Sequence, residues 1–341
     1  MERGAAAINA LMSVLTGLAA HPPSRARITK QANVFISTPL AGQRWKRRQK
    51  KILQPCPYCY AQRLHLPNLR RAKTGGTMPP MVTPDTTHAW DAQTYDQISA
   101  PMTRMGTTVL DRLQLIGNET VLDAGCGSGR VTAKLLDRLP SGHVIALDGS
   151  DAMLAEARTN LVGYGTRVSY LRADLSHDLP EFGPVDAILS TATFHWVSGH
   201  AGLFKRLATR LRPAGQLIAQ WGGFGNVANV IDALDSVKSD FPELSDWEGP
   251  WWFPRPDEVT TLLHDAGFDV QRAWLTPEFV TLGTHEELKR YLATPVLVAH
   301  LDRVAPEDRA RLVAKVADAL PGKTINYVRM NVVATRLPYP I

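Results

Sequence analysis

The sequence predicts a doubly wound α/β fold, in which a largely parallel sheet carries helices on both faces. From about residue 120 the chain alternates short apolar runs with segments of helical periodicity, as strand–helix–strand crossovers require. The apolar runs contain few polar residues, which is typical of strands buried on both faces. A glycine-rich turn directly follows the first run, at the strand end where open α/β sheets bind ligands.

The elements are expected in the following order. A first helix has apolar residues at helical spacing and ends at Gly117-Asn118, and its apolar positions are Met102, Met105, Val109 and Leu113. Strands are predicted over residues 120–123, 144–148, 168–171, 185–190, 216–221 and 325–335. Helices are predicted over residues 152–160 with Asp151 as the cap, around Leu203–Leu211, from Pro256 with acidic residues in its first turn, and over 306–320.

Charge divides the chain into two parts. Residues 1–80 contain 14 Lys and Arg residues and one acidic residue, Glu2, whereas the remainder has 24 basic and 31 acidic residues. Because residues 1–80 show no sustained periodicity, we expect them to be a disordered basic leader and residues 81–341 to be the folded domain. Gly75-Gly76 stands just before Met78, and Gly-Gly can be encoded by the sequence of a bacterial ribosome-binding site, so Met78 or Met81 is a candidate start of translation. The alternative interpretations of residues 1–80 are an organelle transit segment and a basic arm that binds nucleic acid.

Composition excludes several classes of protein. Three cysteines, at positions 56, 59 and 126, are too few for a disulfide framework and fit a reducing cytoplasm. The pair Cys56 and Cys59 has no second pair or fitting histidine cluster, so no metal site is expected. The stretch 4–20 is too short and too weakly apolar for a confident membrane span. We therefore expect a cytoplasmic monomer whose folded domain binds neither membrane nor nucleic acid.

The glycine-rich turn has the spacing Asp123-x-Gly125-x-Gly127-x-Gly129. Nicotinamide enzymes use a different spacing, G-x-G-x-x-G, to cradle a pyrophosphate. An acid two residues before the first glycine would repel a pyrophosphate but would suit an α-ammonium group. The turn therefore favours a ligand that carries an ammonium group.

Two further acidic residues stand at the carboxyl ends of the next predicted strands. Asp148 stands about twenty residues beyond the turn, where an acid accepts hydrogen bonds from ribose hydroxyls. Asp174 follows the third strand and is expected to accept from an adenine amino group, with Met153 packed on the adenine face. Each acid alone is equally typical of a helix cap or a turn. Three of them at successive strand ends predict a ligand site.

These motifs resemble those of class I S-adenosylmethionine (SAM) dependent methyltransferases; they are Val121–Gly129, Ala146–Asp148, Arg172–Asp174 and Leu211–Gly215. The segments Trp90–Asp96, Phe194–Trp196 and Asn326–Arg329 resemble more closely the trans-aconitate methyltransferase group and its relatives, which include malonyl-acyl-carrier-protein O-methyltransferases. The resemblance covers roughly residues 87–341. It implies a seven-stranded mixed sheet with an antiparallel last strand. It also implies SAM as the cofactor, held by Asp123, Gly125, Cys126, Gly127, Gly129, Asp148, Gly149, Met153, Ala173, Asp174, Leu175, Thr191 and Tyr95.

The acceptor is expected at His195-Trp196, just past the fourth strand. The pair resembles one in plant carboxyl methyltransferases, whose Trp donates to the substrate carboxylate. An indole N–H only donates, so Trp196 favours an anionic acceptor. Candidate substrate contacts are Tyr327, Arg329 and Arg255. The segments 224–253 and 284–322 are longer than ordinary connections, so we expect them to form a lid with helical insertions.

The expected reaction is O-methylation of a small-molecule carboxylate to its methyl ester. A carboxylic acid is already ionised at neutral pH, so no general base is required. Amino-group methylation is disfavoured because Ser190–Phe194 does not match the D/N-P-P-Y/F stretch, and cytosine methylation is disfavoured because this loop has no Cys. Two alternatives stay open: a small-molecule O- or C-methyltransferase with His195 as the base, and a non-catalytic SAM-binding protein.

Overall fold

The computed structural model describes residues 100–338. The leader of residues 1–80, the candidate starts Met78 and Met81, the pair Cys56 and Cys59, and the opening Trp90–Asp96 with Tyr95 lie outside the described residues. Within residues 100–338 seven strands form one sheet. They are β1 (Thr120–Ala124), β2 (His143–Asp148), β3 (Val168–Arg172), β4 (Val185–Thr191), β5 (Leu211–Gly222), β6 (Phe268–Thr281) and β7 (Thr324–Arg336).

The strand order is β3-β2-β1-β4-β5-β7-β6. Strands β1 to β5 pair in parallel, and β7 lies antiparallel between β5 and β6. The predicted doubly wound mixed sheet with an antiparallel last strand is thus confirmed. The strand order reverses at β1, whose neighbours are β2 and β4, and such a switch point is where this fold opens a crevice for ligands.

The described helices lie on both faces of this sheet and in the two long insertions. They are α1 (Ala100–Leu110), α2 (Arg130–Asp137), α3 (Asp151–Asn160), α4 (His200–Arg210), α5 (Ala228–Val237), α6 (Pro256–Asp265), α7 (His285–Tyr291), α8 (Val298–Leu301) and α9 (Arg309–Ala319). Adjacent residues of β1 pack on opposite faces of the sheet. Val121 belongs to an apolar cluster with Val109 and Leu135. Leu122 belongs to a different apolar cluster, which includes Phe204. This alternation buries both faces of the sheet.

Three helix boundaries differ from the expectation. Helix α1 ends at Leu110, well before Gly117, and the Leu110 carbonyl there accepts from the Leu113 amide (3.2 Å) and the Arg138 guanidinium (3.1 Å). The cap of α3 is Ser150, not Asp151: the Ser150 hydroxyl accepts from the Met153 amide (3.3 Å). Helix α4 ends at Arg210, and Leu211 already belongs to β5.

Strand β6 had no counterpart in the predicted strand pattern. It lies at the edge of the sheet, and much of it is exposed. A register shift between Val270 and Arg272 also interrupts its alternation of side chains. An edge strand with a bulge therefore lacks both the apolar run and the period-2 signal from which strands were predicted.

The long insertions 224–253 and 284–322 share a second apolar core. It includes Val230, Leu234, Leu292, Leu312 and Val316, all of them buried. At its edge Lys315 of α9 pairs with Asp240 (2.8 Å). The two segments are thus packed together rather than being separate loops. No helix within residues 100–338 is long and apolar enough to cross a membrane.

Candidate functional site

A cleft of about 1130 Å³, open to solvent, lies at the carboxyl ends of the parallel strands. It brings together most of the site residues predicted from sequence. These are Gly125, Gly127, Asp148, Gly149, Met153, Ala173, Asp174, Leu175, Thr191, His195, Trp196, Tyr327 and Arg329. Residues separated by more than 200 positions therefore share one cavity.

Four of the predicted residues do not line this cleft: Asp123, Cys126, Gly129 and Arg255. Cys126 is buried, and burial raises the pKa of its thiol well above the usual range. Gly129 is the left-handed residue that begins α2. Arg255 is exposed before α6, with its guanidinium 3.6 Å from the Phe224 ring centre, so its expected role as a substrate contact finds no support here.

Gly125 and Gly127 are required for different reasons. Gly125 has φ +86, and a Cβ there would stand 2.1 Å from the Thr193 hydroxyl. A Cβ on Gly127 would meet nothing within 4 Å, although the residue also has positive φ. Gly125 therefore permits close packing against the end of β4, while Gly127 presents bare backbone to the open cleft.

Asp148 holds the glycine turn against the end of β2. Its carboxylate accepts from the Gly127 amide (2.9 Å) and from the Ser150 amide (2.9 Å). Burial raises the pKa of Asp148, while these backbone donors act in the opposite direction. Asp148 thus fixes the backbone around the cleft and also lies on its wall.

Asp174 lies in the cleft wall after β3. Its carboxylate accepts from the Ser176 amide (2.8 Å) and lies 3.1 Å from His177 Nδ1. Met153 of α3 is buried and lines the same part of the cleft. The ends of β2 and β3 therefore supply two carboxylates beside an apolar surface.

Asp123 is 1% exposed and does not line the cleft. The geometry therefore does not support the expected direct contact between Asp123 and a ligand ammonium group. One carboxylate oxygen accepts from the Thr132 hydroxyl (2.7 Å), and the other, Oδ1, is buried without a hydrogen-bond partner. Burial raises the pKa of Asp123 to about 7, the Thr132 hydrogen bond acts against this, and the Asp148 charge adds to it. A cation near the turn would favour the ionised form.

The turn Phe194–Trp196 is a single 3-10 turn after β4. His195 is 7% exposed, and its Nδ1 accepts from the Gly222 amide (3.4 Å). Burial, the Arg329 charge and His200 hold the pKa of His195 well below 6.5. His195 is therefore a neutral imidazole at pH 7.

Arg329 and Tyr327 enter the cleft from β7. Arg329 is 2% exposed and pairs in register with Gly222, the last residue of β5. Tyr327 is 5% exposed, and its hydroxyl donates to the Tyr291 hydroxyl of α7 (3.2 Å). A buried guanidinium thus lies in the wall that also contains His195 and Trp196.

The sequence reasoning missed several lining residues; they are Leu147, Ser150, Ser176, Ala192, Thr193, Val197 and Pro295. Ala192 and Thr193 follow β4 directly, so their position at a strand end was a usable signal. Ala192 has φ +57, a backbone strain that often accompanies ligand sites. Pro295 lies in a short π-helix, Leu292–Val296, of the second insertion. No local pattern connects it to the strand ends.

Residues 121–215 match a family model described as a methyltransferase domain. A Methylobacterium nodulans protein named trans-aconitate 2-methyltransferase is 38% identical over 242 residues, which cover 68% of this chain and 88% of that protein. An Acidovorax ebreus protein of the same name is 40% identical over 133 residues, 39% of this chain. That match spans half the length of the Acidovorax relative.

The chain also aligns with the crystal structure of a putative methyltransferase from Bacillus halodurans. It is 18% identical, covers 69% of this chain and 99% of its own, and has a TM-score of 0.46.

Proposed function

Because the chain belongs to the class I SAM-dependent methyltransferases, we propose that it methylates a carboxylate of a small molecule to the methyl ester. The observation that carries this proposal is Arg329, a buried guanidinium in the cleft wall beside His195 and Trp196. An Arg guanidinium presents a planar fork of N–H donors that matches the two oxygens of a carboxylate. The name of the Methylobacterium nodulans relative, trans-aconitate 2-methyltransferase, specifies a carboxylic acid as acceptor and supports the same class.

The cleft has two parts in this proposal. The cofactor half contains Gly125, Gly127, Asp148, Met153 and Asp174, and the acceptor half contains His195, Trp196, Pro295, Tyr327 and Arg329.

The cofactor half fits SAM, the cofactor of the family. Gly127 leaves room where a side chain would intrude, and a positive charge on the ligand would favour the ionised form of the buried Asp123 carboxyl without touching it. Asp148 and Asp174 supply carboxylates for ribose and adenine donors, beside the apolar side chain of Met153. Bound SAM supplies a methyl group that is electrophilic because it is attached to a sulfonium. The acids around it favour a ligand with net positive charge.

The acceptor half binds and orients the nucleophile. Arg329 binds the acceptor carboxylate, and Trp196 adds an N–H donor that cannot accept in return. The Tyr327 hydroxyl already donates to Tyr291, so Tyr327 contributes its ring as an apolar wall. The buried Val197 and the partly buried Pro295 extend this wall with further apolar surface.

Rate enhancement in this site comes from alignment and desolvation rather than from proton transfer. The acceptor carboxylate is ionised at neutral pH, so it needs no base. Holding a nucleophile in line within a site that excludes water contributes on the order of several kcal/mol. His195, neutral and buried, packs beside the acceptor and takes no proton in this scheme.

A second candidate function, methylation of a hydroxyl or carbon with His195 as base, is favoured by the position of His195 in the cleft. Because the pKa of His195 lies well below 6.5, this mechanism predicts a rate that falls only in distinctly acidic solution. Replacing His195 by Gln would then abolish both the inflection and the activity. Carboxylate methylation predicts that His195→Gln retains turnover.

The test is a screen of SAM turnover against matched acceptors. The full chain is incubated with SAM and a panel of small carboxylic acids, with the corresponding amides and alcohols as controls. We expect release of S-adenosylhomocysteine with one or more acids and with none of the matched amides or alcohols. Turnover with alcohols instead would favour the His195 mechanism. No turnover with any acceptor would favour a non-catalytic SAM-binding protein.

A further inference from the structure

Three consecutive aromatic residues, Trp251, Trp252 and Phe253, lie against the turn Phe194–Trp196. We call them the aromatic clamp. They precede α6 in an extended segment at the end of the first insertion. The Trp251 and Phe253 rings stack on one side, with centroids 5.6 Å apart and an interplanar angle of 18°. The intervening Trp252 ring lies against a different neighbour, the His200 ring.

The clamp contacts the turn directly at His195 and Trp196, and it reaches Phe194 through His200. The Trp252 amide donates to the His195 carbonyl (3.1 Å), and the Phe253 ring lies 6.0 Å from the His195 ring. The Trp252 and His200 rings lie tilted against each other with centroids 3.6 Å apart, and His200 Nε2 donates to the Phe194 carbonyl (2.8 Å). These contacts fix the backbone of the turn at Phe194 and His195.

Trp196 is held through its ring. The Trp251 and Trp196 rings meet edge to face, with centroids 6.0 Å apart and an interplanar angle of 62°. Trp196 lines the cleft, whereas Trp251 does not. On its other side Trp251 lies 5.0 Å from the His300 ring of α8, which belongs to the second insertion. Trp251 therefore stands between Trp196 and helix α8 of the second insertion.

We propose that Trp251 is a positioning residue that fixes the orientation of the Trp196 indole in the acceptor half of the cleft. An indole on a cleft wall has two rotatable side-chain bonds, and an edge-to-face neighbour restricts both. Because Trp251 is itself fixed by Phe253 and His300, the restraint does not depend on the acceptor. Its consequence for acceptor methylation rests on the proposed function, whereas the orientation of Trp196 does not.

The direct test is the indole N–H signal of Trp196 in a ¹⁵N–¹H spectrum of the full chain, assigned by its loss in Trp196→Phe. In Trp251→Leu we expect this signal to shift and to broaden or split. The matched control is Trp247→Leu, because Trp247 contacts His300 at 4.8 Å from the same loop. The control should leave the Trp196 signal in place. An unchanged Trp196 signal in Trp251→Leu would overturn the proposal.

If Trp251→Leu does not fold, Trp251→Phe serves instead, since it keeps a smaller ring at the site. An intermediate shift of the Trp196 signal supports the proposal, and no shift in this folded variant overturns it.

The second readout is a double-mutant cycle on kcat/KM for the acid found in the acceptor screen. Trp251→Leu should lower kcat/KM about two- to tenfold, the range of one edge-to-face aromatic contact. The same change in the Trp196→Phe background should have no further effect, because Trp251 acts through Trp196. Additive losses would contradict positioning. If no acid is methylated while the Trp196 signal still responds to Trp251→Leu, the proposed function fails and the positioning inference stands.

Discussion

The two halves of the cleft are built from different parts of the chain. The cofactor half uses strand ends and the turns that follow them, all within residues 125–176. The acceptor half combines a turn after β4, a π-helix of the second insertion and two residues of β7, and so spans residues 195–329. One half follows from the sheet topology alone, whereas the other depends on insertions packing correctly. We therefore expect changes in each half to affect one ligand and spare the other.

The largest effect should come from Arg329→Gln. It removes the buried guanidinium from the acceptor half, and lost hydrogen bonds to a charged group cost about 3 kcal/mol, or on the order of a hundredfold in kcat/KM for the acid. The affinity for SAM should change less than about twofold, since the cofactor half is untouched. The control is Arg272→Gln, because Arg272 is exposed over the Trp274 ring. Steady-state kinetics measure kcat/KM, and calorimetry measures the affinity for SAM. A loss of SAM affinity as large as the loss of kcat/KM would contradict the division of the cleft into two halves.

The corresponding substitution in the cofactor half is Asp148→Asn. It removes a charged acceptor that also holds the Gly127 and Ser150 amides, so SAM affinity should fall by about 1–3 kcal/mol. Asp151→Asn is the matched control, because Asp151 is exposed one helical turn away and pairs with Arg172. Calorimetry with SAM that shows equal affinity for wild type and Asp148→Asn would remove Asp148 from the cofactor site.

Trp196→Phe sharpens the comparison within the acceptor half. It keeps an aromatic ring at the wall and removes the N–H donor, so kcat/KM for the acid should fall about tenfold. The affinity for SAM should remain unchanged. A wild-type rate would show that Trp196 serves as a wall and donates nothing to the acceptor.

The last prediction concerns pH and the buried Asp123 carboxyl, which lines neither half of the cleft. The pKa of Asp123 is raised to about 7 from 3.8, so the folded chain holds a proton that the unfolded chain has released between these values. Stability should therefore decline as pH rises from about 4 to about 7. Asp123→Asn should remove this decline. Thermal unfolding of both proteins at pH 5, 6, 7 and 8 measures it, and parallel curves would contradict the raised pKa.

The fold was predictable from local patterns because central strands of a parallel sheet are apolar on both faces. Strands β1 to β4 were therefore found within one or two residues, whereas the exposed, bulged edge strand β6 left no such pattern. The same limit applies to the site. Asp148 and Asp174 were predicted as site residues from their places at strand ends. His195 and Trp196 were predicted from their place just after β4.

The remaining site residues have no local signal. Arg329 and Tyr327 were proposed only from a resemblance, because nothing in a strand pattern distinguishes a residue that faces a cleft from one that faces the core. Pro295 and Trp251 were missed because their positions depend on how two insertions pack together. Arg255 was proposed as a cation that could contact the substrate, and the structure places it on the surface.

The central claim is that the acceptor half of the cleft presents a carboxylate oxygen to the methyl group. The most direct measurement is the fate of a labelled methyl group transferred from SAM to the acceptor. Methyl esters are hydrolysed by mild base and release labelled, volatile methanol, whereas methyl groups on ether oxygen, nitrogen or carbon stay attached. We predict that the label becomes volatile after base treatment and that Arg329→Gln forms little of this product. A labelled product that is stable to base would contradict the account.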